Sequence, residues 1–186
     1  MMIAALLAMV WGGKKFWPAA TEAPVEPTQE QTQEPAQEVA QEEELQPALA
    51  LKDLDDQITD LAARHPGKTL LINYWATWCP PCITEIPSLL QVKTNRQSDQ
   101  FDVVFINLDF PKDATALKAL MKRIGFENLD TLYMYDARQW SELNGRGLPI
   151  SVLVSPEGRI LRRFVGGMDW TSEAGDDFLK GVPKNR

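Results

Sequence analysis

Apolar and polar positions alternate in three textures along the chain. Met1 to Trp11 is an unbroken apolar run. From Thr21 to Pro47 Glu, Gln, Pro and Ala take over, with Val25, Val39 and Leu45 almost the only large apolar residues. Beyond Leu49 apolar residues return in short blocks and in helical spacing. The blocks Leu70-Leu71-Ile72 and Val103-Val104-Phe105-Ile106 predict strands over Lys68–Ala76 and Phe101–Phe110, apolar on both faces as in a parallel or mixed sheet. Asp53 followed by Leu54, Ile58 and Leu61 predicts a capped amphipathic helix ended by His65-Pro66-Gly67. His65, at its C-terminal end, reads as structural.

Pro80 and Pro81 fall where a first helical turn needs no N–H, so a helix is predicted to begin at Cys79, with a kink at Pro87. Asp113 caps a helix carrying Leu117, Leu120, Met121 and Ile124, ended by Gly125. A short strand over Thr131–Tyr135 and a short helix over Ala137–Leu143 follow. Ile150–Val154 and Arg159–Val165 form a hairpin about the type I turn Ser155-Pro156-Glu157-Gly158. Gly166-Gly167 permits close approach of two segments. A last helix starts at Trp170 or Thr171 and runs through Ala174, Phe178 and Leu179, and residues 183–186 fray. This order predicts an α/β domain over 49–186, a central mixed sheet with helices on both faces, and about 135 residues suffice for one core.

The first 48 residues read differently. As a helix, Met1 to Trp11 spans about 16 Å at ~1.5 Å per residue, short of the ~30 Å hydrocarbon core of a bilayer. Residues 1–20 fit an anchor or uncleaved signal that is truncated, as by a start assigned too far downstream; a cleaved signal or an unrelated apolar tail are the alternatives. Residues 21–48 read as a disordered spacer, too poor in apolar surface to offset chain entropy. Much of the net charge of −7 lies there, so overall acidity says little about the folded domain's partner. No nucleic-acid partner is expected.

Composition adds one decisive fact: both cysteines of the chain sit in Trp78-Cys79-Pro80-Pro81-Cys82. A strand, a tight turn and a helix starting at Cys79 place one sulfur at a helix N-terminus, where unpaired N–H groups and the dipole favour a thiolate. Cysteines three apart across the first turn can close a small disulfide ring. Cys79, at the exposed end, is the expected attacking nucleophile and Cys82 the resolving thiol. The two prolines remove two backbone donors, leaving the N–H groups of Cys82 and Ile83, so Cys79 is expected to be moderately acidic and the dithiol to favour giving electrons. Two other readings stay open. One is an inert bridge, whose small loop stabilises little. The other is half of a metal site, for which His65 is the only other soft candidate against a need of four ligands. No metal and no cofactor is expected. Glu85, one turn beyond Cys82 on nearly the same helix face, is a candidate acceptor of the Cys82 proton; ordinary dipole complementation by an acid in an early turn competes with that reading.

The residues Asn73-Tyr74-Trp75-Ala76-Thr77-Trp78-Cys79-Pro80-Pro81-Cys82, with Glu85 and Pro87, resemble the active-site segment of the thioredoxin superfamily. They are most similar to the TlpA/ResA-like thiol-disulfide oxidoreductases, which include the cytochrome c maturation thioredoxins. The resemblance covers roughly Leu49 to Val182. It implies a thioredoxin fold with an extra helix-strand unit before the next landmark, Arg146-Gly147-Leu148-Pro149. There Pro149 resembles the family's cis-proline facing the disulfide, and the Leu148 backbone would pair with an incoming peptide. Many relatives carry Val or Thr at the position of Leu148. Thioredoxins place a buried acid where Asn73 stands, so an amide cannot be the base here, and the ResA-like glutamate matches Glu85. Trp78, Pro80, Pro81, Leu148 and Pro149 are the expected docking surface for a client, whereas Trp75 reads as core.

The resemblance implies a protein-disulfide reductase in the periplasm or another extracytoplasmic space, tethered to the membrane at the N-terminus. Its expected partners are a cysteine-containing client protein and a membrane electron donor that recharges the dithiol. An oxidant or isomerase on the same chemistry is separable by reduction potential. A thioredoxin-fold copper-binding or scaffolding module is separable by tight Cu(I) binding without reduction of insulin.

Overall fold

The computed structural model describes residues 38–39, 49–142 and 147–182. The N-terminal apolar run, most of the spacer, Arg146 and the last four residues lie outside them. The strands are β1 (Glu38–Val39), β2 (Leu51–Lys52), β3 (Ile58–Thr59), β4 (Thr69–Trp75), β5 (Phe101–Asn107), β6 (Leu132–Met134), β7 (Ile150–Val154) and β8 (Ile160–Val165). The helices are α1 (Leu61–Arg64), α2 (Pro80–Arg96), α3 (Ala114–Arg123), α4 (Arg138–Glu142) and α5 (Glu173–Phe178).

The strands form one mixed sheet in the order β1-β8-β7-β4-β5-β6-β2-β3. β4 lies at its centre, parallel to β5 with Trp75 opposite Asn107, and antiparallel to β7 with Asn73 opposite Ser151. Because successive side chains of a strand face opposite ways, β4 divides its residues between two cores. Leu71 and Trp75 pack with α2, α3 and α5 on one face; Leu70, Ile72 and Tyr74 pack with Leu61 of α1 and Trp140 of α4 on the other. Trp75 is fully buried, its Nε1 donating to Thr131 Oγ1 at 3.1 Å.

Four readings of the sequence are corrected. The helix expected from Asp53 is a β-hairpin followed by a single helical turn. Asp53 Oδ1 accepts from the N–H groups of Asp55 and Gln57, and Asp56 has φ 63, so the aspartate organises a turn in place of a helix start. Leu51 and Lys52 pair with Met134 and Tyr133 of β6, while Asp60 caps the short α1. Second, β5 ends at Asn107 and β6 spans only Leu132–Met134, both shorter than expected. Third, the last helix begins after Ser172, whose hydroxyl accepts from the Gly175 N–H. Fourth, Glu38–Val39, within the stretch read as spacer, add an edge strand antiparallel to β8. Among the described residues no helix is long and apolar enough to cross a membrane.

Candidate active site

Where β4 ends, the chain reverses in a tight turn closed by the Cys79 N–H donating to the Ala76 carbonyl at 3.2 Å. Asp109, just past β5, holds this turn in place. Thr77 donates its N–H to Oδ2 at 2.9 Å and its hydroxyl to Oδ1 at 2.8 Å, and Asn107 Nδ2 adds a third donor at 2.6 Å. The turn thrusts Trp78 into solvent, 66% exposed.

Cys79 is the N-cap of α2, with Pro80 and Pro81 in the first turn, both exposed. Cys79 and Cys82 form a disulfide across that turn with their Cα atoms 5.3 Å apart. The Cys82 N–H points at the Cys79 sulfur at 3.3 Å. The Ile83 N–H, expected to do the same, donates to the Cys79 carbonyl at 3.2 Å, because a cap residue's carbonyl takes the first intrahelical bond. One donor therefore serves the sulfur where two were expected. The expectation that Cys79 lies exposed is also corrected: it is 4% exposed and Cys82 is at 0%. Both cysteines belong to the buried cluster that includes Ile86 and Trp170, and the little access that remains belongs to Cys79.

Leu148–Pro149 is a cis peptide. Pro149 is buried, Leu148 is half-buried, and the Pro149 carbonyl accepts from Gly166 N–H at 2.9 Å, tying the two loops together. The next residue, Gly167, lies against the first turn of α2: a Cβ there would sit 3.3 Å from that of Pro81. Beside this contact runs a groove of about 560 Å³ lined by Pro81, Thr84, Glu85, Ser88, Gly167 and Met168, among others.

Glu85 lies at the groove's floor, 3% exposed. Its Oε1 accepts from Asn73 Nδ2 at 2.7 Å; its Oε2 accepts from the Met168 N–H at 3.1 Å and from Trp170 Nε1 at 3.2 Å. Asn73 Nδ2 also donates to Ser151 Oγ at 2.9 Å. Trp170 is packed edge-on against Phe164 and Phe178, so the acid is walled by aromatic surface. Burial pushes the Glu85 carboxyl up to about 7, against three hydrogen bonds that favour its charged form. None of the groups bonded to it is a cation. His65 lies elsewhere, its Nδ1 3.3 Å from Asp102.

Thus Cys79, Cys82 and Glu85 share the first turns of α2, with Trp78 before it and Pro149 on the loop entering β7. Sequence reasoning missed Asp109, Ser151 and Trp170 as members of this region. Asp109 had a faint signal, Asn107 and Asp109 as polar residues at the close of a buried strand. Trp170 had another, an indole three residues beyond a glycine pair.

A mixed sheet of thioredoxin type, with a disulfide spanning the first turn of its central helix, defines a thiol-disulfide oxidoreductase. The chain belongs to the Redoxin family, which it matches over residues 31–178, and it is of the TlpA/ResA-like kind. It is 27% identical over 122 residues to the thiol-disulfide oxidoreductase ResA of Bacillus subtilis (strain 168), covering 66% of each chain. It is 30% identical over 145 residues to the thiol:disulfide interchange protein HelX of Rhodobacter capsulatus, covering 73% of this chain and 76% of that one. The thioredoxin domain of a thiol-disulfide oxidoreductase from Bacteroides vulgatus superposes with a TM-score of 0.59 at 21% identity, over 74% of this chain and 96% of that one.

Proposed function

We propose that this protein reduces disulfides of extracytoplasmic client proteins, in the manner of the cytochrome c maturation thioredoxins. In the reduced state the Cys79 thiolate attacks one sulfur of a client disulfide. A mixed disulfide forms and the client's other sulfur leaves as a thiolate. Cys82 then gives its thiol proton to Glu85, and the resulting thiolate attacks the Cys79 sulfur. The Cys79–Cys82 bond forms, the client's second sulfur is released, and two electrons have passed to the client. Trp78, Pro80, Pro81, Leu148 and Pro149 form the surface that receives the client, with the Leu148 backbone pairing to its chain as an added strand. A membrane electron donor returns the protein to the dithiol, and residues 1–20 tether it in the periplasm or an equivalent space.

The observation that carries this reading is the buried Glu85, three residues beyond Cys82 and titrating near neutrality. A base with that value takes a proton and releases it again at the working pH. A single N–H donor to the Cys79 sulfur, from Cys82, supports the reducing direction, since a weakly stabilised thiolate is a readier electron donor. Insulin reduction by the pre-reduced protein, followed from pH 5 to 9, tests both points. Glu85→Gln is expected to slow the reaction at neutral pH by at least tenfold and to erase the step in its pH profile. An unchanged rate and profile removes Glu85 from the mechanism. A reduction potential in the strongly oxidising range of about −120 mV contradicts the direction.

A further inference from the structure

Oε2 of Glu85 already receives two N–H donors, from Met168 and Trp170, so a proton bound by this carboxyl goes to Oε1. Oε1 faces Asn73 Nδ2, itself a donor, 2.7 Å away. A protonated Oε1 would set donor against donor there. On the other side of the same amide is an acceptor in need: Oδ1 of the fully buried Asn73 has no hydrogen-bond partner, and it is the one such side-chain oxygen among the described residues. Turning the amide by half a revolution about its last side-chain bond puts Oδ1 where Nδ2 was. It then accepts the carboxyl proton, and the Ser151 hydroxyl, which accepts from Nδ2 in the ionised state, reverses to donate. Each orientation leaves one end of the amide without a partner, so neither is strongly preferred until Glu85 chooses.

We infer that Asn73 is a two-position rotor beneath the disulfide, its amide turning over each time Glu85 gains or loses a proton. It is a positioning residue that makes both forms of the acid acceptable in a dry site. The inference deepens the proton-acceptor role proposed for Glu85 and rests on it for its consequence in turnover. Of the elements packed about Glu85, β4 and β7 contribute only the neutral Asn73 and Ser151. The loop after β8 carries one charged group, Asp169, which is turned to the N–H and hydroxyl of Thr171 at 2.9 and 2.6 Å. On α2 itself the titratable neighbours are the two thiols of the reduced state.

Nuclear Overhauser contacts in the full-length oxidised protein, with asparagine side chains labelled with 15N, read the rotor directly. At pH 9 the Asn73 NH2 protons are expected to show strong contacts to the side-chain protons of Ser151 and Glu85. At pH 5 those contacts are expected to fall severalfold, with the same midpoint as the Glu85 carboxyl carbon. In Glu85→Gln the new NH2 group faces Asn73 at every pH, so the weak-contact pattern is expected throughout. Contacts that stay unchanged across the titration of Glu85 overturn the inference. As a second readout, Asn73→Leu removes a donor to the charged form and an acceptor to the protonated form together, so the Glu85 midpoint, read from its carboxyl carbon, is expected to move by less than about half a unit. A rise of about one unit or more, the result for a donor fixed in one position, counts against the rotor. If Glu85→Gln leaves the insulin profile untouched while the Asn73 contacts still switch, the acceptor role fails and the rotor stands.

Discussion

Among the described residues two carboxylates are buried, one on α2 and one in β5, and they have opposite fates. Glu85 is 3% exposed beneath the disulfide; Asp102, at the other end of the sheet near the start of β5, is 4% exposed. Burial pushes both upward. Asp102 is nevertheless held well below the usual carboxylate range, because His65 and Lys93 hydrogen-bond it, the Lys93 charge lies 2.7 Å away, and the Val103 N–H adds a further bond. Gln97 Nε2 is a fourth donor to Asp102, at 3.3 Å. Glu85 has three hydrogen bonds, all from uncharged groups, and rises to about 7. Both acids are nearly closed to solvent, but a cation with additional donors locks Asp102 in its charged form, while the more deeply enclosed Glu85, with neutral donors only, is left free to trade a proton. The locked acid belongs to the architecture, and the free one lies next to the redox pair.

The comparison can be broken most severely at Asp102. Asp102→Ala strands the half-buried Lys93 charge and is expected to cost about 3 kcal/mol in urea denaturation. The reduction rate per folded molecule should be unaltered, and a loss of rate in the folded fraction would mean that the two ends of the sheet are coupled.

The pH dependence of stability sharpens the contrast, since the two acids act with opposite sign. The folded Glu85 value lies above the unfolded one, 4.5, so the native state holds the extra proton between about 4.5 and 7. Its favourable contribution is complete below the unfolded value and is lost as pH rises through 7, a decline of about 3 kcal/mol. Asp102 works the other way: its folded value is depressed, so its contribution is present above 3.8 and is lost as pH falls toward the lowered value. Glu85→Gln is expected to flatten the neutral limb of the denaturation curve and leave the acid limb intact. A neutral limb that persists in that variant assigns it to another group.

A finer adjustment is available at Trp170. Trp170→Phe keeps the aromatic packing against Phe164 and Phe178 and deletes only the N–H to Glu85. The charged form loses one donor, so the Glu85 midpoint should rise by less than about one pH unit, read from its carboxyl carbon. A fall in that midpoint would contradict the part given to the Trp170 N–H as a donor to the charged form.

Much of this could be seen in the chain beforehand, for reasons that are local. β4, the start of α2 and the β7–β8 hairpin each carry their cause within a few residues: a both-faces apolar run, two prolines where N–H groups are expendable, and Ser155 to Gly158 closing a turn. The Asp53–His65 stretch misled because an aspartate accepting from N–H groups just ahead of it looks the same at a helix start and in a turn. What decided the matter was β6, some eighty residues onward, which offers Leu51 and Lys52 a pairing edge. The environment of Glu85 was hidden for the same reason. Its spacing from Cys82 pointed to a role, but its partners Asn73, Met168 and Trp170, with Ser151 behind Asn73, meet only when β4, β7 and the loop after β8 close over α2. The burial of Cys79 likewise follows from its packing in the cluster with Ile86 and Trp170, which no local pattern encodes.

The most direct trial of the account is covalent capture. Cys82→Ala, with Cys79 as its sole thiol, is incubated with a disulfide-bearing protein such as insulin and separated without reductant. A stable mixed disulfide through Cys79, released by dithiothreitol and absent in Cys79→Ala, is the expected result. Capture by Cys79→Ala through Cys82, or no adduct with Cys82→Ala, would contradict the assignment of the attacking sulfur.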